Sequence, residues 1–126
     1  MSRPSTASFC KAAASTREWT SRWLGTGAGA AVPVKTNGVA GVLTRQGVGL
    51  YTLTFADVGG KVAGFGGTTH TAGTIAPQYW KYVAGSLSQS LKSIQVECWS
   101  TAGLLVDPPA AAVVELETTF FDNTVD

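Results

Sequence analysis

The chain has 126 residues, 44% of them hydrophobic and only 13% charged, with a formal net charge of +1. That length suggests one domain that can bury a core without disulfides or metal, and the near-neutral balance carries no signature of nucleic-acid binding. Six Lys and Arg face Glu18 alone in residues 1–56, and three face seven acids in residues 57–126; this asymmetry suits self-contacts, head-to-tail or lateral, and equally a chance scatter.

Residues 1–30 are rich in Ser, Thr and Ala and end in "GTGAGA". Within them "STREWTSRWLG" sets Trp19 and Trp23 four apart, which predicts one face of a short helical turn. Ser15 or Thr16 is its candidate cap and Glu18 lies in its first turn. A helix this short is marginal alone. It reads either as an arm that gains order on a neighbour or as two indoles that pack on the chain's own body. The segment lacks the apolar stretch of a secretory signal, and no run approaches the ~20 apolar residues of a membrane helix. The expectation is a soluble protein folded in a cytosol. There Cys10 and Cys98 would be free thiols, with Cys98 a small core hydrophobe and a Cys10–Cys98 disulfide the lesser alternative.

From Ala31 the pattern turns to strands. "AVPVK" and "VAGVLTR" flank Asn37-Gly38, a hairpin signal, and Pro33 marks an edge or an irregular strand. In "RQGVGLYTLTFADVGGKV" Tyr51, Leu53 and Phe55 take one face, and Leu50, Thr52 and Thr54 the other. Residues 64–76 are Gly- and Thr-rich and read as a long loop or a distorted edge. "QYWKYVAG" is an aromatic strand and "SLSQSLKS" a polar linker. "SIQVECWS" alternates Ile94, Val96 and Cys98 against Gln95, Glu97 and Trp99. After "LLVDPP" breaks the chain, "AAVVELETTFF" points Val114, Leu116 and Phe120 inward and Glu115 and Glu117 outward. Phe121 then lies outside and needs a partner surface. Seven or eight short strands predict an all-β fold, an antiparallel β-sandwich or jelly roll of residues 31–126 carrying an extended N-terminal arm, residues 1–30.

Little of this is chemistry. His70 is the only histidine, and its neighbours Thr68, Thr69 and Thr71 are not bases, whereas a catalytic histidine needs a nucleophile and an orienting carboxylate. One His and two distant Cys are a poor zinc supply. "GGKV" fails the phosphate-loop pattern, because Val62 follows Lys61. Glu115 and Glu117 suit a glycosidase only if placed across a cleft. Arg17, Trp19, Arg22 and Trp23 fit single-stranded nucleic acid weakly. No catalytic residue, metal site or cofactor is expected. With four Trp, five Phe and three Tyr on a sparsely charged chain, surface buried against partners is.

Two stretches carry a resemblance. "GVGLYTLTF" resembles the Gly-x-Tyr-x-Leu/Val-x-Phe strand of small β-sandwich proteins in tailed-phage virions. "KSIQVECWSTAGLLVDPPAAAVVELETTFF" is similar to their closing pair of strands, with a Ser/Thr-Gly turn and a "VD" step with proline. The likeness spans residues 39–121, includes decoration proteins and fibre tips, and extends in outline to C1q-like trimers. It implies a non-catalytic homotrimer made in the host cytoplasm and carried on the virion. A compact sandwich with a 30-residue arm, and no long shaft, suits a head decoration or cement protein bound to the major capsid protein. Arg17, Trp19, Arg22, Trp23 and Phe121 are then the expected capsid or subunit contacts, with no nucleic-acid or membrane partner. A receptor- or glycan-binding module of a tail fibre is the alternative, and a small β-sandwich hydrolase a third reading.

Overall fold

A computed structural model describes residues 16–71 and 78–122. Eight strands run in chain order: β1 (Thr16–Leu24), β2 (Val32–Asn37), β3 (Val39–Gly47), β4 (Leu50–Phe55), β5 (Lys61–His70), β6 (Gln78–Tyr82), β7 (Ser93–Ser100) and β8 (Val113–Phe121). They form two four-stranded sheets ordered β2-β1-β8-β5 and β3-β4-β7-β6, and every strand pairing is antiparallel. This is the predicted all-β sandwich.

Period-two alternation builds its core. Tyr51, Leu53 and Phe55 from β4, and Ile94, Val96 and Cys98 from β7, are buried from the second sheet. Trp23, Val114, Leu116 and Phe120 meet them from the first. Phe55 and Phe120 close edge-to-face, centroids 5.0 Å apart at 87°, a favoured aromatic geometry. At one side of the sandwich Trp80 Nε1 donates to Thr69 Oγ1 at 2.8 Å, tying edge strand β6 to edge strand β5.

The segment around Trp19 and Trp23 is not helical. It is β1, an interior strand whose nine residues pair with β8 from Thr16↔Phe121 to Leu24↔Val113. The physical reason is arithmetic: residues four apart share a face in a strand as well as in a helix. Thr, Trp and their β propensity favour the strand, and two neighbouring strands supply hydrogen bonds that a lone helical turn lacks. The predicted arm therefore loses residues 16–24 to the sandwich. Residues 1–15, with Cys10, lie outside the described residues.

Asn37-Gly38 is likewise not a hairpin. β2 pairs with β1 in one sheet and β3 with β4 in the other, so this turn is a corner between sheets. Gly38 has φ 77°, and a Cβ there would fall inside the Trp19 ring; only glycine satisfies both conditions. The tight hairpin is instead Val48-Gly49, between β3 and β4, with Gly49 at φ 69°. Of the two readings of the Gly/Thr-rich stretch, the distorted edge forms as far as His70, with a register shift between Val62 and Gly64. The rest of that stretch, residues 72–76, lies outside the described residues.

Candidate functional site

Alternation in the first sheet sends one side-chain set inward and the other to solvent. The outward set falls in rows across the four strands. Lys35, Arg22, Glu115 and Thr68 are register partners in one row, and Asn37, Thr20, Glu117 and Gly66 in the next. A third row, Val32, Leu24, Val113 and His70, borders them. At the far end lie Thr16, Phe121 and Lys61.

The two polar rows, apart from Asn37, line a cleft of about 580 Å³. Its depth comes from small residues: Thr20 on β1 and Gly66 on β5, where an added Cβ would meet nothing. Arg22 Nη2 donates to Glu115 Oε2 at 3.0 Å. His70 Nε2 lies 3.2 Å from Glu115 Oε1 and 3.1 Å from Thr68 Oγ1. Lys35 and Glu117 are exposed, and no hydrogen bond or ion pair ties either to another described residue.

Thr68, His70 and Glu115 bring together the residue types of a hydroxyl–imidazole–carboxylate relay. The relay needs the hydroxyl on one ring nitrogen and the carboxylate on the other. Here both lie against Nε2, so the imidazole does not stand between them. Glu115 and Glu117 are two positions apart on one strand, roughly 6.8 Å along it. They lie side by side rather than across the cleft from each other, the placement that a glycosidase pair takes around the scissile bond. The cleft offers donors and acceptors on backbone positions that the sheet fixes. Among the described residues no group of three His, Cys, Asp or Glu could hold a metal ion, and no helix is long and apolar enough to cross a membrane.

The five predicted contact residues divide between the faces of the first sheet. Trp23 is fully buried, its Nε1 donating to Ser21 Oγ at 2.7 Å, and has no surface left for a neighbour. Trp19 packs against the core and donates to the Asp57 carbonyl at 3.2 Å. Arg17 is held by Asp57 at 2.7 Å and Asp122 at 2.8 Å, with its guanidinium 5.8 Å from the centroid of the Trp19 ring. The hydrogen bond from Arg17 keeps the Asp57 carboxyl below its ordinary pKa. Arg22 and Phe121 are on the outer face, Arg22 in the cleft and Phe121 outside it at the far end of the sheet, 41% exposed with Lys61 Nζ 6.0 Å from its ring centroid.

A second polar cluster is structural. Asp107, in the "VDPP" loop, accepts from Arg45 Nε, from Gly49 N at 3.0 Å and from Tyr51 Oη at 2.9 Å. Burial pushes the Asp107 carboxyl toward neutrality, but Arg45, the Gly49 amide and the Tyr51 hydroxyl outweigh it and hold the pKa below its ordinary value. Burial, then the bond to Asp107, raises that of Tyr51. The Cys98 thiol is free and buried, and burial pushes its pKa up to about 12, so it is protonated and unreactive near neutral pH.

Alternation alone pointed Glu115 and Glu117 outward. Lys35, Thr20 and Gly66 carried no such signal, because only the strand order 2-1-8-5 brings them to the same cleft. Asp107 read as part of a strand break, and its carboxylate role depends on the loop folding back over the β3–β4 hairpin. No family model, no curated protein and no solved structure matches this chain.

Proposed function

We propose that this protein is a non-catalytic structural component of a phage virion, a head decoration or cement protein that binds the assembled shell of major capsid protein as a homotrimer. The observation that carries this reading is an apolar strip along one side of the sandwich. Val32 and Val34 on edge strand β2 are 50% and 53% exposed, and Leu24 and Val42 beside them are exposed too. Leu24 is the register partner of Val32, and the Ala31↔Leu43 bridge brings Val42 alongside. Grouped apolar side chains in water mark a contact surface better than scattered ones do. Pro33 and a register shift at Arg22/Trp23 interrupt the edge, which discourages open-ended strand addition and leaves the valine side chains as the contacting groups.

A cement protein binds the assembled shell and not its separated parts, so it stabilises the shell by mass action. A specific contact of this kind buries about 1,200–2,000 Å², and an apolar one is little weakened by salt. The test is heat release of packaged DNA from particles with and without the protein, and with a Val32→Ser/Val34→Ser variant. Particles lacking the protein, or carrying the variant, should be of normal size and open at lower temperature, at low and high salt alike. Equal opening temperatures defeat the cement reading. Loss of host adsorption by intact heads transfers the protein to the tail fibre.

A further inference from the structure

We propose that the cleft on the outer face of the first sheet is a binding site for a neutral oligosaccharide. This inference stands on the cleft alone and does not depend on the capsid reading. About 580 Å³ is the size of a small-ligand site. It lies on four hydrogen-bonded strands, so a ligand orders side chains but not backbone on binding.

Charge decides the class of ligand. Lys35 and Arg22 stand beside Glu115 and Glu117 in two adjacent rows, and their formal charges cancel. An anion attracted by the first pair is repelled by the second, and a cation meets the reverse. A neutral molecule dense in hydroxyls gains from both, because a hydroxyl donates to a carboxylate and accepts from a guanidinium or an ammonium. The unused capacity is large. Arg22 spends Nη2 on Glu115 and keeps its other donors. The Lys35 ammonium and both Glu117 oxygens have no partner among the described residues, and Thr20 adds a hydroxyl. The bare backbone at Gly66 lets a sugar ring approach the sheet.

The aromatic pair on the opposite face, Tyr79 and Trp99, is the rival platform. They are register partners on β6 and β7, but Trp99 is already engaged. Its Nε1 donates to Glu97 at 3.2 Å, and Lys81 Nζ stands 5.3 Å from the centroid of its ring.

The experiment is an amide-shift titration of the whole chain with cellotriose, maltotriose and chitotriose, and with a sialylated trisaccharide as the charged control. At least one neutral trisaccharide should move the amides of Thr20, Arg22, Gly66, Thr68 and Glu117 in a saturable way, with the sialylated one at least tenfold weaker. Glu117→Gln should weaken binding about tenfold, the loss of one charged hydrogen bond. Gly66→Val should abolish it while the fold persists, since its Cβ enters open space. Tyr79→Ala should leave it unchanged. No saturable shift with any of the three neutral sugars overturns the proposal. So does a response confined to the sialylated sugar, one centred on Tyr79 and Trp99, or a shift of the same amides with protein concentration alone, which would mean that a second copy occupies the face.

Discussion

The two sheets share a layout, edge–centre–centre–edge, but divide their residues differently. The second sheet turns an apolar centre to the core, where Leu43, Tyr51, Leu53, Phe55, Ile94 and Val96 are all buried, and keeps its inward polar side chains, Arg45 and Gln78, at the ends of its strands. The first mixes its inner face, burying Ser21 and Thr118 among Trp23, Val114, Leu116 and Phe120. It also carries the ionic rows of the cleft outside. The contrast teaches that the second sheet bonds its inward polar groups at the rim, whereas the first buries a hydroxyl at its centre and gathers its ionic side chains on the outer face.

The sharpest way to break that contrast is at Trp23, the first sheet's largest core residue. Trp23→Ala should cost about 3–5 kcal/mol, as much as Phe55→Ala in the second sheet, measured by urea unfolding. A Trp23→Ala protein of wild-type stability would mean that the first sheet is not part of the shared core. Truncation reports on the same point: removing residues 1–24 deletes an interior strand and should abolish cooperative unfolding, whereas removing residues 1–15 spares every described strand.

A smaller effect belongs to the loop clamp of the second sheet. Asp107→Asn should cost about 1–3 kcal/mol, because it weakens the acceptor of the part-buried Tyr51 hydroxyl and of the Gly49 amide. The folded chain holds the Asp107 proton less tightly than the unfolded chain does. Its contribution is therefore complete above the ordinary carboxylate pKa of ~3.9 and is lost as pH falls through the lowered folded value. Acid titration of wild type against Asp107→Asn should show a stability difference that closes below that window. A difference constant down to the lowest pH would place the effect elsewhere.

Thr118 sharpens the comparison in the opposite direction. Its Oγ1 is buried without a hydrogen-bond partner among the described residues, so Thr118→Val, nearly the same shape, should stabilise by about 1 kcal/mol. A loss of stability would mean that the hydroxyl has a partner in solution, such as an ordered water. The smallest change is expected on the outer face. Glu117→Gln should leave the unfolding midpoint where it is, since exposed charges contribute little to folding. A clear destabilisation would make Glu117 a structural residue and not a spare one.

Strands with strict alternation were legible because period two admits one interpretation there: β4, β7 and β8 face the way their residues predict. β1 was not, because Trp19 and Trp23 satisfy a helical and an extended period equally, and the choice falls to β8, roughly a hundred residues away in the chain. Asn37-Gly38 announced a turn but not its destination. A hairpin and a corner between sheets ask the same backbone freedom of glycine, and only the pairing of β2 with β1 separates them.

The same division runs through the candidate site. Composition and alternation determined by themselves that this is a sparsely charged sandwich and that Glu115 and Glu117 face outward, because local side-chain direction follows from the backbone period. That Lys35, Arg22, Glu115 and Thr68 stand in one row was decided by strand order, and strand order is set by non-local hydrogen bonds and core packing. No window of sequence contains those partners together.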